Sequence, residues 1–344
     1  MKLIVQIPCF NEEQTLSQTI ADIPRVIPGV EVVEVLVIDD GSTDRTVRVA
    51  REAGADHVVK HKTNRGLAQT FRTGIDSCLR LGADIIVNTD GDNQYAGSCI
   101  PMLIQPILNG EADMVVGDRQ IRDNPGFSWT RKRLQALGSF VVRRLSRTNI
   151  PDTVSGFRAI SREAALNLNI VSPFSYTIEM LIQAGTHQMA IASVPIETNS
   201  VGRRSRLFKS IPHFILHSMA TMIRVYTMYH PLRTFVFLGA VLAGLGAIPL
   251  VRFLYFYWMG DGAGHVQSLI LGGVLLLLGF VAWMFGLVAD LTNFNRQLLE
   301  STLKKVRKLE LEAEMGQTLP AKKSVEPSEI SGGTRSAETR ETNR

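Results

Sequence analysis

The 344-residue sequence predicts an α/β fold: a Rossmann-like, mostly parallel sheet with helices on both faces, followed by an interfacial amphipathic helix and a two-helix transmembrane hairpin. Three observations predict it. Between residue 3 and about residue 118, short β-rich apolar runs alternate with stretches of helical periodicity, the pattern that builds parallel sheets. Beyond residue 233, Thr234 to Val251 and Ser268 to Ala289 form runs of roughly 18 and 22 residues with no internal charge, long enough to cross about 30 Å of hydrocarbon. From about Gly316, Pro, Ser, Thr, Glu and Lys follow without apolar periodicity, which predicts a disordered tail. The expected units are therefore residues 1–209, 210–231, 232–291 and 292–344, the last a basic helix and its tail.

The elements of the first unit follow from their composition. Strands are expected at Leu3 to Ile7, Glu34 to Ile38, His57 to Lys60, Ile85 to Asn88 and Met114 to Val116. Helices are expected at Glu12 to Ile23, Thr43 to Ala53, Leu67 to Leu81 and Ile100 to Leu108, with Ser, Thr or Asn near several starts and Gly near several ends. Residues 119–200 are less regular: a basic amphipathic helix at Arg131 to Arg147, the segment PDTVSGFR, a helix near Tyr176 to Ala184 and a strand near Ile191 to Pro195. Ser210 to Tyr229 spaces Ile211, Phe214, Ile215, Met219, Met222, Ile223 and Tyr226 for one helix face, as in a helix lying in a membrane interface.

Charge sets the orientation of the two spans. Arg224 and Arg233 precede the first, and Arg296, Lys304, Lys305, Arg307 and Lys308 follow the second, while the link GDGAGH has only Arg252 at its edge. Basic flanks stay inside, so both termini are expected in the cytoplasm, with Tyr255 to Trp258 as an aromatic belt at the far interface. The net charge of +5 gathers in three patches that suit an anionic membrane or a phosphate, and without interleaved aromatics they do not suggest nucleic acid. Cys9, Cys78 and Cys99 are odd in number and widely spaced, which suggests neither a disulfide framework nor a zinc site.

Ligand sites in such sheets lie outside the carboxyl ends of the strands, and three expected strands end in suitable groups. The first ends in IPCFNEE, which brings Pro8, Asn11 and Glu12 to that edge. The second ends in VLVIDDGS, where Asp39 and Asp40 could accept from a nucleobase imide or a ribose hydroxyl, although Asp-Gly-Ser also fits a plain turn. The strand at Ile85 leads into NTDGDNQ. There Asp90, Asp92 and Gln94 offer two carboxylates and an amide oxygen to a hard divalent cation that keeps positions open for phosphate oxygens.

These segments, with NRGLAQTFRTG at Asn64 to Gly74 and SGFR at Ser155 to Arg158, resemble the family 2 glycosyltransferases of GT-A fold over Met1 to about Lys209. With the two trailing spans the chain is most similar to the branch that acts on polyprenyl phosphates. The resemblance implies that Pro8, Asn11, Glu12 and Asp39 bind a nucleotide sugar, and that Asp90, Asp92 and Gln94 hold Mg²⁺ or Mn²⁺. It also implies that Arg119, Ser155 and Arg158, with Asp92, form the transfer site. Where many relatives carry Gly-Lys-Gly this chain has Arg65, Gly66 and Leu67, so no role of that lysine carries over. None of Trp129, Trp258 or Trp283 follows an Arg, so the QxxRW segment of processive synthases is missing and chain polymerisation is not expected.

A polyprenyl phosphate acceptor would meet Arg131, Arg133, Arg203 and Arg206, which lie between cleft and membrane in the sequence and match phosphate oxygens, or equally anionic lipid heads. Its phosphate is largely ionised near neutral pH, with a second pKa of about 6, so the expected reaction is one direct, inverting displacement without an enzymic nucleophile. Two other readings fit the same residues: transfer to another lipid such as a diacylglycerol or ceramide, and a pseudoenzyme that binds nucleotide sugar. A homo-oligomer is compatible with the sequence.

Overall fold

The computed structural model describes residues 1–120, 138–170 (apart from 141, 144, 145 and 147), 176–199, 219–260 (apart from 221, 222 and 225) and 263–318. Seven strands form one sheet: β1 (Lys2–Cys9), β2 (Val32–Asp39), β3 (His57–Lys60), β4 (Ile85–Asn88), β5 (Met114–Asp118), β6 (Arg158–Ser161) and β7 (Ile191–Pro195). Their spatial order is β3-β2-β1-β4-β6-β5-β7. All neighbours run parallel except β6, which is antiparallel to both β4 and β5. The central strands read as continuous apolar runs because both faces are covered: Leu3, Ile4, Val5 and Ile7 of β1 are all 0 % exposed.

Alternate strand residues feed two cores. Ile4, Leu36, Ile38 and Ile86 pack with Phe71, Ile75 and Leu79 of α3 (Leu67–Arg80), joined by α5 (Arg162–Asn167) and α6 (Tyr176–Thr186). Leu3, Val5, Val35, Val37 and Val87 pack on the opposite face with α1 (Leu16–Ala21), α2 (Thr46–Glu52) and α4 (Ile100–Leu108). Two helices start later than their periodicity predicts, for one reason. The backbone amides of Asn11 and Glu12 donate to the Ser42 and Thr46 hydroxyls, and those of Thr43 and Arg45 donate to Asn11 Oδ1 and Glu13 Oε2. The two loops satisfy each other's backbone groups instead of winding as helix.

After the α/β domain come α7 (Pro231–Trp258) and α8 (Val266–Thr318), both long and apolar enough to cross a membrane. Only 11 % and 22 % of their most apolar 18-residue windows are buried by protein, so neither is the core helix of a soluble domain. They pack through glycines seven residues apart, Gly239 and Gly246 against Gly272, Gly279 and Gly286, the repeat of a left-handed helix pair. A Cβ at Gly279 would lie 2.8 Å from the Gly239 carbonyl oxygen, and one at Gly246 would lie 3.0 Å from that of Gly272. Trp283 Nε1 donates to the Val236 carbonyl across the same seam at 3.2 Å.

Two boundaries differ from expectation. Tyr255, Tyr257 and Trp258 form the exposed last turn of α7 rather than following it. The second apolar helix does not end near residue 291 but runs on to Thr318 and returns to the α/β domain. Arg296 lies 3.9 Å over the Tyr229 ring, Arg307 pairs with Asp76 of α3 at 3.1 Å, and Leu311 is buried among the residues of the α3 core. Of the expected interfacial helix, residues 210–218 lie outside the described residues; Met219 and Ile223, both helical, are exposed.

Candidate active site

Three strand ends meet as their sequences predict. After β1, Asn11 takes a left-handed conformation (φ 57°), and the next residue, Glu12, packs its side chain against Gly91 of the loop after β4. Thr15 ties the same two loops, its hydroxyl donating to the Gly91 carbonyl at 2.8 Å. After β2, Gly41 turns at φ +75°, where a Cβ would strike the Thr63 backbone at 2.7 Å, so only glycine lets the two loops close together. Pro8 is the penultimate residue of β1, in register with Ile38 and next to the Cys9–Asp39 pair at the cleft edge.

Asp39 and Asp40 are both buried but differ in duty. Asp39 accepts long bonds of 3.2 and 3.3 Å from the Ser42 amide. Asp40 accepts from the amides of Arg65 and Gly66, each at 2.9 Å, and from His61 Nδ1 at 2.8 Å, while His61 Nε2 lies 3.1 Å from the Thr73 hydroxyl. The Asp40 carboxylate is thus committed to holding the 61–66 loop.

The carboxylate pair lies beyond β4. Asp92 Oδ1 accepts from the Gln94 amide at 3.1 Å, the short turn that aspartate favours, and the Gln94 carbonyl accepts from the Asn199 amide at 2.9 Å. The Asp90 carboxylate takes no hydrogen bond from a described residue, and burial together with the Asp92 charge pushes its pKa up to about 7. Three residues on, Asn93 Oδ1 is buried with no hydrogen-bond partner among the described residues. Among the described residues no three His, Cys, Asp or Glu side chains gather into a closed metal cage. Two carboxylates of one short loop, the Asp92 charge raising the proton affinity of Asp90, instead fit a hard divalent ion, with the remaining positions left to phosphate oxygens and water.

Opposite the pair, Arg119 at the end of β5 makes a bidentate bridge to Asp152, with Nε to Oδ2 at 2.7 Å and Nη2 to Oδ1 at 3.0 Å. Ser155 is 0 % exposed and its Oγ has no partner. Arg158 is 0 % exposed too, and its guanidinium donates to the carbonyls of Ser155, Thr177 and Thr153 at 2.8 to 2.9 Å. Burial brings its pKa down to about 10, so it stays charged at neutral pH. Arg158 thus lies beneath the loop, its guanidinium taken up by backbone carbonyls.

The structure thus gathers Pro8, Asn11, Glu12, Asp39, Asp90, Asp92, Gln94, Arg119 and Ser155 around one cleft. Arg131, Arg133, Arg203 and Arg206 lie outside the described residues. Sequence reasoning missed Asp152, Tyr95, Asn88 and Tyr176. Asp152 could have been found: it is the one acidic residue of the PDTVSGFR segment, and a buried arginine near a ligand cleft needs an acidic partner.

The family model for glycosyl transferase family 2 matches residues 4–168. A UDP-N-acetylglucosamine–dolichyl-phosphate N-acetylglucosaminyltransferase of Methanococcus voltae is 30 % identical over 56 % of this chain and 83 % of its own. The polyprenol monophosphomannose synthase of Mycolicibacterium smegmatis is also 30 % identical, over 57 % of this chain and 76 % of its own. Similarity to the glycosyltransferase AglJ of Haloferax volcanii, at 26 % identity, extends over 88 % of this chain and 96 % of that protein. Among solved structures, glucosyl-3-phosphoglycerate synthase from Mycobacterium tuberculosis, in complex with Mn²⁺, UDP-glucose and phosphoglyceric acid, matches with a TM-score of 0.52 and 23 % identity. That match covers 65 % of this chain and 79 % of the synthase and supports the GT-A fold.

Proposed function

Because the chain belongs to glycosyl transferase family 2, in the branch that glycosylates polyprenyl phosphates, we propose that it moves a sugar from a UDP or GDP donor onto a polyprenyl phosphate at the cytoplasmic membrane face. The observation that carries the proposal is the combination of a strand-end cleft holding Asp90 and Asp92 with two exposed apolar helices on the same chain. Pro8, Asn11, Glu12 and Asp39 would bind the nucleotide end of the donor. Arg119, oriented by Asp152, sets positive charge beside Asp90. Asp90, Asp92 and Gln94 would hold Mg²⁺ or Mn²⁺, which when bound would supply positive charge to offset that growing on the departing diphosphate. The same fold carries Mn²⁺ with a UDP-sugar in the mycobacterial synthase.

The acceptor phosphate oxygen attacks the anomeric carbon while the bond to the diphosphate breaks on the opposite side, so the configuration inverts. The phosphate, already ionised, has no proton to give up, and the chain's contribution is positioning and electrostatic stabilisation. Arg131, Arg133, Arg203 and Arg206 are the proposed partners of that phosphate. Two spans joined by a short link, with both ends cytoplasmic, agree with the basic flanks and with the contacts that α8 makes to Asp76 and Tyr229 after its apolar stretch. The test is a panel of UDP- and GDP-sugars offered with a short polyprenyl phosphate to the full-length protein, with Mn²⁺ or with EDTA. Transfer from one donor that stops with EDTA is expected, and full transfer in EDTA would overturn the metal assignment.

A further inference from the structure

Behind the carboxylate pair lies a buried polar lattice that the transfer reading leaves without a role. Gln6 of β1 donates from Nε2 to Asn88 Oδ1 at 3.0 Å. Asn88, the last residue of β4, donates from Nδ2 to the Gly156 carbonyl at 2.8 Å and to the Tyr176 hydroxyl at 3.3 Å. On its other side Gly156 donates its amide to the Tyr95 hydroxyl at 3.2 Å. Tyr176 is stacked on Phe71 with ring centroids 4.2 Å apart, and Tyr95 on Phe157 at 5.1 Å, so neither hydroxyl is free to swing away. Gln6, Asn88, Tyr95 and Tyr176 are all 3 % exposed or less.

Such groups are costly to bury unless paired, and the neighbouring β4 residues Ile86 and Val87 meet the same packing need with apolar side chains. What the lattice holds is Gly156, fixed at both its carbonyl and its amide. Gly156 faces Asp90 closely: a Cβ there would stand 3.2 and 3.3 Å from the two Asp90 carboxylate oxygens and 3.0 Å from the Tyr176 hydroxyl. We propose that Asn88 and Tyr95 are positioning residues that clamp Gly156 as a backstop against Asp90, fixing the orientation in which that carboxylate meets a divalent cation. The inference rests on the metal reading above. It adds that the carboxylate's geometry is set by side chains that never touch substrate, and that glycine is required at 156 because any side chain would push on the Asp90 oxygens.

The test uses the full-length protein with UDP or GDP, whichever it binds, and follows Mn²⁺ binding by electron paramagnetic resonance for wild type, Asn88→Ala and Gly156→Ala. Both variants are expected to bind Mn²⁺ about 10- to 100-fold more weakly, the usual cost of losing a group that orients a ligand. Transfer at saturating Mn²⁺ should recover most of the wild-type kcat, with the donor KM unchanged, which separates positioning from general damage. Gly156→Ala removes no hydrogen-bonding group from the lattice and so remains informative if Asn88→Ala fails to fold. Wild-type Mn²⁺ affinity in folded Gly156→Ala would overturn the proposal and leave the metal reading standing. Absence of Mn²⁺ binding by the wild-type protein would overturn both.

Discussion

The strand-end cleft and the α7–α8 hairpin invert the ordinary distribution of polarity in opposite senses. In the cleft, charged and amide side chains are buried: Asp39, Asn88, Arg158 and Arg119 are 9 % exposed or less. In the hairpin, large apolar side chains face outward: Phe237 is 73 % exposed, Ile248 67 % and Leu291 70 %. Each departure costs free energy in water, and each is relieved by a different surrounding. The cleft tolerates buried polarity because nearly every group has a partner inside the fold, while Ser155 Oγ and Asn93 Oδ1 have none among the described residues. The hairpin tolerates exposed apolar surface because hydrocarbon replaces water around it. The difference teaches that α8 is one backbone element serving two solvents, apolar between Val266 and Leu291 and charged where it rejoins the α/β domain at Arg296 to Leu311.

The largest effect is expected in the cleft. Asp92→Asn should lower transfer by about 100-fold or more while the protein stays folded and membrane-bound, since one carboxylate of a two-carboxylate site is lost. Initial rates beside a circular dichroism melt check this, and near-wild-type transfer would break the account of the cleft. Asp90 gives the same region a pH signature in chelator. Its folded pKa is raised to about 7, so the stability it contributes is fully present below the unfolded carboxyl pKa of about 4 and is lost as pH rises through about 7. The melting temperature of Asp90→Asn relative to wild type should therefore rise between pH 5 and pH 8, and a constant difference would mean the carboxylate is not held as described.

In the hairpin, Gly279→Leu forces a side chain against the Gly239 carbonyl and should cost about 1–3 kcal/mol, read as a lower melting temperature in detergent with donor binding retained. Unchanged melting would deny that the glycine seam sets the packing. The smallest effect belongs to the junction. Arg307→Ala removes a partly exposed pair with Asp76 and should cost about 1 kcal/mol or less, visible mainly as faster hydrogen exchange in residues 300–312. Unaltered exchange there would mean that this bridge does not hold α8 to α3.

Much of this was legible in the residues. β3, β4, β7 and α4 fall where composition and turn residues put them, because short apolar runs bounded by polar turns leave little choice of register. β6 escaped because its four residues, RAIS, sit between a loop and a helix start and pair antiparallel, outside the strand–helix alternation that revealed the rest. Asp40 and Arg158, expected at the nucleotide and at the transfer site, also hold loops from within, which the sequence does not show because it gives residue type but not burial. The apolar span expected to end near residue 291 and the basic helix expected after it are one continuous helix, α8, because a change from apolar to charged residues does not interrupt the backbone. Polarity decides what surrounds a helix, whereas Gly and Pro stop it, and between Gly286 and Gly316 there is neither.

The joint claim that cleft and hairpin serve one lipid acceptor is tested most directly by an acceptor comparison. Full-length protein in vesicles would be given its active nucleotide sugar and, in parallel, a long-chain polyprenyl phosphate, the matching phosphate-free polyprenol and a diacylglycerol. The account predicts labelled sugar on the polyprenyl phosphate alone, in a mono-phosphate linkage of inverted configuration. Labelling of the diacylglycerol, or of the free polyprenol at a comparable rate, would contradict it.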